Sequence, residues 1–163
     1  MTTNAPQSHL EESLKLTADA TVDLYEVALK HDPVIFRFKD GPSIIYQGQV
    51  YESMACSISG DMRSAEGEES RPILRVINPF GIFNQAALNG QIDLAVVKRR
   101  RVLREHLEQD VNIFDQRMWF VSRVRELISG QALTLELRNM TEGPNFQIPV
   151  RMFLPPEFPF VTF

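Results

Sequence analysis

Short runs in which hydrophobic and polar residues alternate recur along the chain, and they predict a mainly β fold. The runs TVDLYEVAL (21–29), RPILRVI (71–77) and ALTLELRNM (132–140) combine this alternation with several β-branched residues, as is typical of strands with one buried face. The pattern gives about eight short strands without the regular strand–helix alternation of α/β proteins. We therefore expect a small antiparallel β-barrel or sandwich.

Turn-forming residues separate several of these strands. The stretch KDGP (39–42) parts two β-rich runs and predicts a hairpin between them. Further tight turns are expected around Gly48 and at Ser129-Gly130. Pro72 has no N–H, so it should lie at the start of a strand or on an edge strand.

One short internal helix is expected after the run at 71–77. Asn78 is a favourable N-cap residue, Pro79 suits the first helical position, and Gly90 marks the end. Such a helix would place three hydrophobic residues on one face: Phe80, Phe83 and Ala87. The stretch that follows mixes strand and helix patterns, and we expect a long strand from Ile92 through Leu103.

The chain of 163 residues is long enough for one domain with a sizeable core. We divide it into an N-terminal arm with a short helix (1–18), a β-barrel domain (19–152) and an extended C-terminal arm (153–163). Ser8 and Glu11 form a potential capping box for the N-terminal helix. No hydrophobic run approaches the ~20 residues that span a bilayer, so we expect no membrane association and folding in a reducing cytoplasm.

Catalytic and metal-binding motifs are not evident in the sequence. Cys56 is the single cysteine, and among small apolar neighbours it is expected to be a buried hydrophobic residue rather than a nucleophile. His9, His31 and His106 lie in different predicted elements without metal-ligand spacing. We therefore expect no enzymatic activity, no metal site and no cofactor.

The strongest charged feature is KRRRVLR (98–104), which contains five cations: Lys98, Arg99, Arg100, Arg101 and Arg104. Consecutive residues of a strand point to opposite faces, so these cations cannot all contact one nucleic-acid backbone. The net charge of −4 also argues against nucleic acid as the main partner. We favour arginine ion pairs at a subunit interface, and the alternative is an oligonucleotide-binding barrel that uses Lys98–Arg104.

The segment FLPPEFPFVTF (153–163) contains four phenylalanines, three prolines and one charged residue. Prolines keep a chain extended and reduce the entropy that is lost on docking. We expect an assembly arm in which Phe158, Phe160 and Phe163 anchor the chain on a neighbouring subunit. The alternative is that the segment folds back over an open edge of its own barrel.

Three stretches, taken in order, resemble the minor tail protein L family of lambda-like, long-tailed bacteriophages. They are YQGQVYE with Tyr46, Gln47, Gly48 and Tyr51, then SRPILRVIN with Ser70, Arg71, Pro72 and Leu74, and finally VVKRRRVLREHLE with Arg99 and Arg100. Each motif is short, and it is their order and spacing over residues 18–152 that carry the resemblance.

The resemblance implies a structural role in the tail tip of a virion that assembles in the host cytoplasm. Proteins of this family form a hub between the distal tail protein and the central host-recognition, or receptor-binding, protein. The resemblance therefore implies self-association, which we expect to give a threefold ring, and it makes the tape-measure protein a further expected partner. It implies no catalytic role for the matched positions and no sequence-specific nucleic-acid binding.

The sequence departs from the family in its last part. The lambda protein continues into a cysteine-rich domain that holds an iron–sulfur cluster, whereas the eleven residues after Met152 contain no cysteine. We therefore expect no cluster here, and the function of that domain is not carried over.

Overall fold

The fold is taken from a computed structural model that describes residues 21–61 and 71–139. The expected N-terminal helix, the expected extended stretch before Met152 and the Phe- and Pro-rich segment 153–163 lie outside the described residues.

Nine strands dominate the described residues and confirm the mainly β prediction. They are β1 Thr21–Ala28, β2 Ile35–Lys39, β3 Ile44–Tyr46, β4 Gln49–Ser53, β5 Cys56–Ser59, β6 Ile73–Ile77, β7 Val96–Leu103, β8 Asp115–Ile128 and β9 Ala132–Arg138. All lie in one sheet with the order β3-β4-β2-β1-β7-β8-β9-β6-β5. The sheet is mixed rather than purely antiparallel, because β2 and β4 pair in parallel.

The sheet curls so that strands from its two halves meet. β2 and β6 are five positions apart in the strand order, which in a flat sheet would separate them by about 24 Å. Yet the N–H of Met54 donates to the Lys39 carbonyl at 3.0 Å, and the N–H of Ile77 donates to the Ala55 carbonyl at 2.9 Å. Because Met54 and Ala55 are adjacent, the described strands form an open but strongly curled sheet, where the sequence predicted a small antiparallel barrel or sandwich.

The main core fills the concave side of this sheet. Side chains from both halves meet in it, including Phe38 of β2, Leu74 of β6 and Leu135 of β9, each no more than 1% exposed. Phe83 closes the core at one end, where its ring meets Phe36 edge-on with a 4.8 Å separation of ring centroids. The curl therefore gives a nine-stranded sheet an enclosed interior without a second layer.

A second, smaller core covers the convex side of β1 and β7. The β3–β4 hairpin contributes Tyr46 and Tyr51, and both are fully buried against Leu24 and Val102. Leu107, which belongs to a short helix after β7, completes the cluster. The two central strands are thus covered on both faces, and their hydrophobic residues divide between the two cores.

The prediction of a hairpin between β2 and β3, based on KDGP, is wrong. β3 pairs with β4, and β4 lies between β3 and β2. The reason is the tighter turn that follows β3. Gln47 and Gly48 both have positive φ, at 51° and 69°, and Tyr46 pairs with Gln49 across them, as expected for a two-residue hairpin turn.

The other two turn predictions agree with the structure. The tight turn around Gly48 joins β3 to β4, and Ser129-Gly130 joins β8 to β9 as a hairpin. Pro72 immediately precedes β6, as its missing N–H predicts.

The internal helix differs in position and length from the prediction. A single 3-10 turn spans Pro79–Gly81, and helix α1 covers only Asn84–Leu88. Phe80 and Gly81 have φ values of 55° and 70°, which are incompatible with a continuous right-handed helix. As a result Phe80 does not share a face with Phe83, because Phe80 is 98% exposed and Phe83 is 1% exposed.

The region after α1 also corrects the prediction. β7 begins at Val96 rather than at Ile92, because Leu94 has a positive φ of 64° and interrupts the extended backbone. The strand ends at Leu103 as expected. A second short helix, α2, then spans Arg104–Glu108 and accounts for the helical spacing of Leu103 and Leu107. Within 21–61 and 71–139, neither helix has the length or hydrophobicity to cross a bilayer.

Phe80 and Phe83 give a matched pair for testing this fold. We expect Phe83→Ala to lower the free energy of unfolding by about 3–5 kcal/mol, because it removes a buried ring from the core. Phe80→Ala should change it by less than about 0.5 kcal/mol, because the ring makes little contact with the rest of the chain. Urea unfolding followed by Trp119 fluorescence measures both values. Equal losses in the two variants would contradict the fold at this end.

Candidate protein interface

The cations of β7 lie in the middle of the sheet and alternate between its two faces, as the strand pattern predicts. Arg99 and Arg101 face the concave side, opposite Tyr25 and Asp23 of β1, and Arg100 faces the convex side. This arrangement separates the charges into two environments.

Arg99 is buried on the concave side. Its side chain is only 3% exposed and bonds to the Asp61 carboxylate at 2.7 Å, and its guanidinium lies 5.5 Å from the Trp119 ring centroid. Arg117 of the neighbouring strand donates to the same carboxylate at 2.8 Å. One aspartate and one aromatic ring therefore balance a buried cation in the sheet.

Arg100 belongs to a polar network beneath the β3–β4 hairpin. Glu26, whose side chain is 8% exposed, lies 3.3 Å from Arg100 and 3.6 Å from Arg37. The Tyr51 hydroxyl donates to the same carboxylate at 2.7 Å. Burial and this hydrogen bond raise the pKa of Tyr51, so it remains a donor at neutral pH. The Phe114 ring stacks on Arg100 with 5.0 Å between the guanidinium carbon and the ring centroid.

Arg101 makes a bidentate ion pair with Asp23, at 2.8 and 3.0 Å. All three central arginines thus have acidic partners in their own chain. Ion pairs that cross to another subunit stay a prediction. Arg104 differs from the three central arginines, because it is exposed at the start of α2 and forms no ion pair with another described residue. The sequence of β7 contains no aromatic residue, and the rings that contact its arginines, Trp119 and Phe114, come from the chain that follows α2.

An open cleft of about 1060 Å³ lies beside Arg99 and Arg101 at the mouth of the curled sheet, and Tyr25, Cys56 and Asp61 also line it. Burial raises the pKa of the Cys56 thiol to about 12, and the charges of Asp40 and Asp23 act in the same direction. Burial raises the pKa of Tyr25 as well. A thiol and a phenol that stay protonated at neutral pH are poor nucleophiles and poor bases.

The first group of family-matched positions shapes the β3–β4 hairpin. The Tyr46 hydroxyl donates to the Val111 carbonyl at 2.8 Å. The backbone N–H of Gln47 donates to the Asp110 carboxylate at 2.7 Å. Gly48 adopts the positive φ of the turn and Tyr51 contacts Glu26. These residues fix the hairpin over the convex core.

The second group lies around the start of β6. Leu74 is fully buried in the main core. The Pro72 carbonyl accepts a hydrogen bond from the Leu137 N–H at 2.7 Å, which extends the β6–β9 ladder. Arg71 pairs with Glu136 at 3.2 Å, and Ser70 lies outside the described residues. The matched positions that are described therefore hold the fold together.

Glu136 of β9 is surrounded by three arginines. Arg123 and Arg125 donate to one carboxylate oxygen at 2.9 and 2.8 Å, and Arg71 donates to the other at 3.2 Å. Arg123 and Arg125 are two residues apart on β8, so they point to the same face of the sheet, where Arg123 lies directly opposite Glu136. The hydrogen bond from Arg125, followed by those from Arg123 and Arg71, lowers the pKa of Glu136 to about 2 although burial opposes it.

The Glu136 cluster carries excess positive charge at the surface. The three arginine side chains are 56%, 66% and 43% exposed, whereas Glu136 is 3% exposed. Metal binding has no comparable basis, because no three His, Cys, Asp or Glu side chains within 21–61 and 71–139 are close enough to hold an ion.

The two most exposed large hydrophobic residues of the described chain, Phe80 and Leu88, lie at the end of the molecule that holds α1. Phe80 is 98% exposed and Leu88 is 81% exposed, and Ile77, Ile82 and Ile128 are between 38% and 44% exposed. We call this surface the uncharged end, because the chain has no charged residue between Arg75 and Asp93 or from 127 to 135. Surfaces with exposed aromatic residues and no charge are typical of the centres of protein interfaces.

Asn78 holds the loop of the uncharged end in place. It is fully buried, its side-chain oxygen accepts the Phe83 N–H at 3.2 Å, and its Nδ2 donates to the Asn84 side chain at 2.9 Å. Its carbonyl accepts the N–H groups of Gly81 and Gly130, at 3.2 and 3.0 Å. A side chain at Gly81 would come within 2.8 Å of the Ser129 hydroxyl, so the loop and the β8–β9 turn are closely packed.

The structure therefore separates the sequence-predicted interface residues. Arg99, Arg100 and Arg101 are engaged inside the chain, Arg104 is exposed, and Phe158, Phe160 and Phe163 lie outside the described residues. Sequence reasoning missed the exposure of Phe80, because helical spacing grouped it with the buried Phe83. The uncharged stretch around it was the available signal.

Comparison with known proteins does not identify a family. No model of a known protein family matches this sequence, and no curated protein matches it significantly. The resemblance to the tail-tip family therefore stays a prediction from the sequence motifs.

Arg100 tests the network beneath the hairpin. We expect Arg100→Glu to destabilise the chain by about 3–5 kcal/mol, because it places a second carboxylate against the buried Glu26. The exposed Arg104→Glu is the matched control and should change stability by less than about 0.5 kcal/mol. Urea titration of both variants measures the difference. A fully stable Arg100→Glu protein would show that this ion pair is not part of the folded structure.

Glu136 should make stability depend on pH in the acid range. Its folded-state pKa of about 2 lies below the ordinary value of 4.5, so its contribution is complete above pH 4.5 and is lost as the pH falls towards 2. We expect Glu136→Gln to remove about 1–2 kcal/mol at pH 7, less than the full shift implies, because water screens the exposed arginines.

The expected loss from Glu136→Gln is much smaller at pH 2, where the carboxyl is about half protonated in the native state and fully protonated in the unfolded state. Urea unfolding at the two pH values measures this difference, with the exposed Glu108→Gln as the control. A loss that does not change with pH would point to a packing defect instead of a charge interaction.

Proposed function

We propose that this protein is a structural subunit of a phage or phage-derived tail tip, where it forms a hub between the distal tail protein and the central receptor-binding protein. The observation that carries a role in assembly is the uncharged end, where the loop held by Asn78 leaves Phe80 98% exposed and helix α1 leaves Leu88 81% exposed. A chain that functioned as a monomer would gain nothing from this exposure. The resemblance of the three sequence motifs to the minor tail protein L family then supports a tail tip as the assembly in which the protein functions.

A catalytic function has less support. Cys56 and Tyr25 in the cleft both have raised pKa values, and the cleft arginines Arg99 and Arg101 are paired with aspartates. An active site needs a group that can take or give a proton near neutral pH. The cleft residues instead hold one another in place.

The alternative, an oligonucleotide-binding barrel, loses most of its basis. It relied on the basic strand from Lys98 to Arg104, but Arg99, Arg100 and Arg101 have intrachain acidic partners. Among the described residues, Arg104 and the arginines around Glu136 remain as exposed basic groups. A salt titration of binding to single-stranded DNA tests this alternative, because phosphate contacts produce a steep loss of affinity with salt.

The tail-tip role is tested in the virus that carries the gene. We expect deletion of the gene to give particles without a complete tail tip and without infectivity, and expression of the chain in trans to restore both. Electron microscopy and plaque titre are the measurements. Purified virions should contain the chain in three copies, and six copies or one would reject the threefold ring. Normal tails in the deletion mutant would reject the proposed role itself.

A further inference from the structure

Phe80 combines an unfavourable backbone conformation with an exposed aromatic ring. A φ of 55° in a residue with a large side chain costs on the order of 1–3 kcal/mol. The buried Asn78 and the close contact of Gly81 with Ser129 hold this conformation. Hydrophobic burial cannot be the compensation, because the ring is 98% exposed. The loop therefore presents an aromatic ring on a rigid support, which is the property of an interface anchor.

A groove lies beside the loop that carries this ring, because the Gln131 carbonyl, which accepts the Asn78 N–H at 3.3 Å, belongs to a residue that lines the groove. Ile77 and Ile128 flank Ala132 on adjacent strands, and these three side chains, with Ala55, form the apolar part of a groove of about 470 Å³. Arg75 and Glu126 line the groove as well. Its volume lies within the range of pockets that accept compact apolar groups.

The chemistry of this surface restricts what can bind it. Its apolar parts offer no ion-pair partner, so a charged segment would lose hydration there without compensation. A segment rich in aromatic residues and poor in charge fits best. Residues 153–163 have this composition, with four phenylalanines, three prolines and only Glu157 charged. Stacking of one of these rings on Phe80 would add about 0.5–1.5 kcal/mol beyond the burial of area.

We propose that the uncharged end is the docking site for the Phe- and Pro-rich segment 153–163 of a second copy of this chain. One phenylalanine of the segment lies against Phe80 and another enters the groove formed by Ile77, Ala132 and Ile128. This is a heterologous contact, in which one surface of a copy binds a different part of the next, so it can close into a ring. The proposal deepens the ring-forming role, but it can be tested without a virion.

The test measures self-association of the full chain by sedimentation velocity over about a hundredfold range of concentration, because association of this kind follows mass action. We expect reversible association that weakens about tenfold or more in Phe80→Ala. Ile45→Ala is the matched control, because Ile45 is 67% exposed on β3, away from the uncharged end. Its association should equal that of the wild type.

A competing peptide identifies the occupant. A synthetic peptide with the sequence of 153–163 should dissociate the wild-type complex, and the same peptide with serine in place of Phe158, Phe160 and Phe163 should not. A chain that stays monomeric, or an unchanged Phe80→Ala variant, overturns the docking site. Association that depends on Phe80 but resists the peptide overturns the segment as its occupant. Both results leave the outcome of the gene-deletion experiment open. The docking proposal can therefore fail while the tail-tip proposal stands, and the reverse.

Discussion

Four consecutive cations lie in the central strand of the sheet, and the fold depends on how their charge is neutralised. β7 is the fifth of nine strands, and it is covered on its concave side by the main core and on its convex side by the β3–β4 hairpin. Charge in such a position is strongly unfavourable unless each group is paired. Asp23 and Glu26 on β1 and Asp61 after β5 pair with the three arginines among these cations. The order of the strands must therefore bring these three acids to β7.

This requirement explains how the hairpin is attached to the sheet. Glu26 is a buried carboxylate that Arg37, Arg100 and the Tyr51 hydroxyl together satisfy. Tyr51 comes from β4, which reaches β1 only by lying parallel to β2. The parallel pair therefore places a phenol donor over a buried ion pair. On the opposite face, Asp61 connects the end of the β5 segment to Arg99 and Arg117, so both faces of β7 bind distant parts of the chain.

Local patterns in the sequence were sufficient for the strands and two of the turns, but not for the pairing of strands. Alternation located β1, β6 and β9, and the Gln47-Gly48 and Ser129-Gly130 turns followed from residues that accept positive φ. The parallel placing of β4 and the two bulges of β8 depend on contacts between residues far apart in sequence, which a single sequence does not display. The same limit applies to the arginines. Their alternation between faces was predictable, whereas their partners Asp61 and Glu26 were not.

The uncharged end shows why the interface could be only half anticipated. The stretch from Val76 to Ile92 has no charge, which by itself fits a buried helix as well as an exposed interface. The backbone at Phe80 decides between a buried helix and an exposed loop. Its positive φ interrupts the helix that would have placed the ring on the same buried face as Phe83. Selection for stability alone would replace this phenylalanine with glycine, which adopts the same φ without strain. Its presence in a loop held by a buried asparagine is the observation on which the proposed contact with a second chain rests.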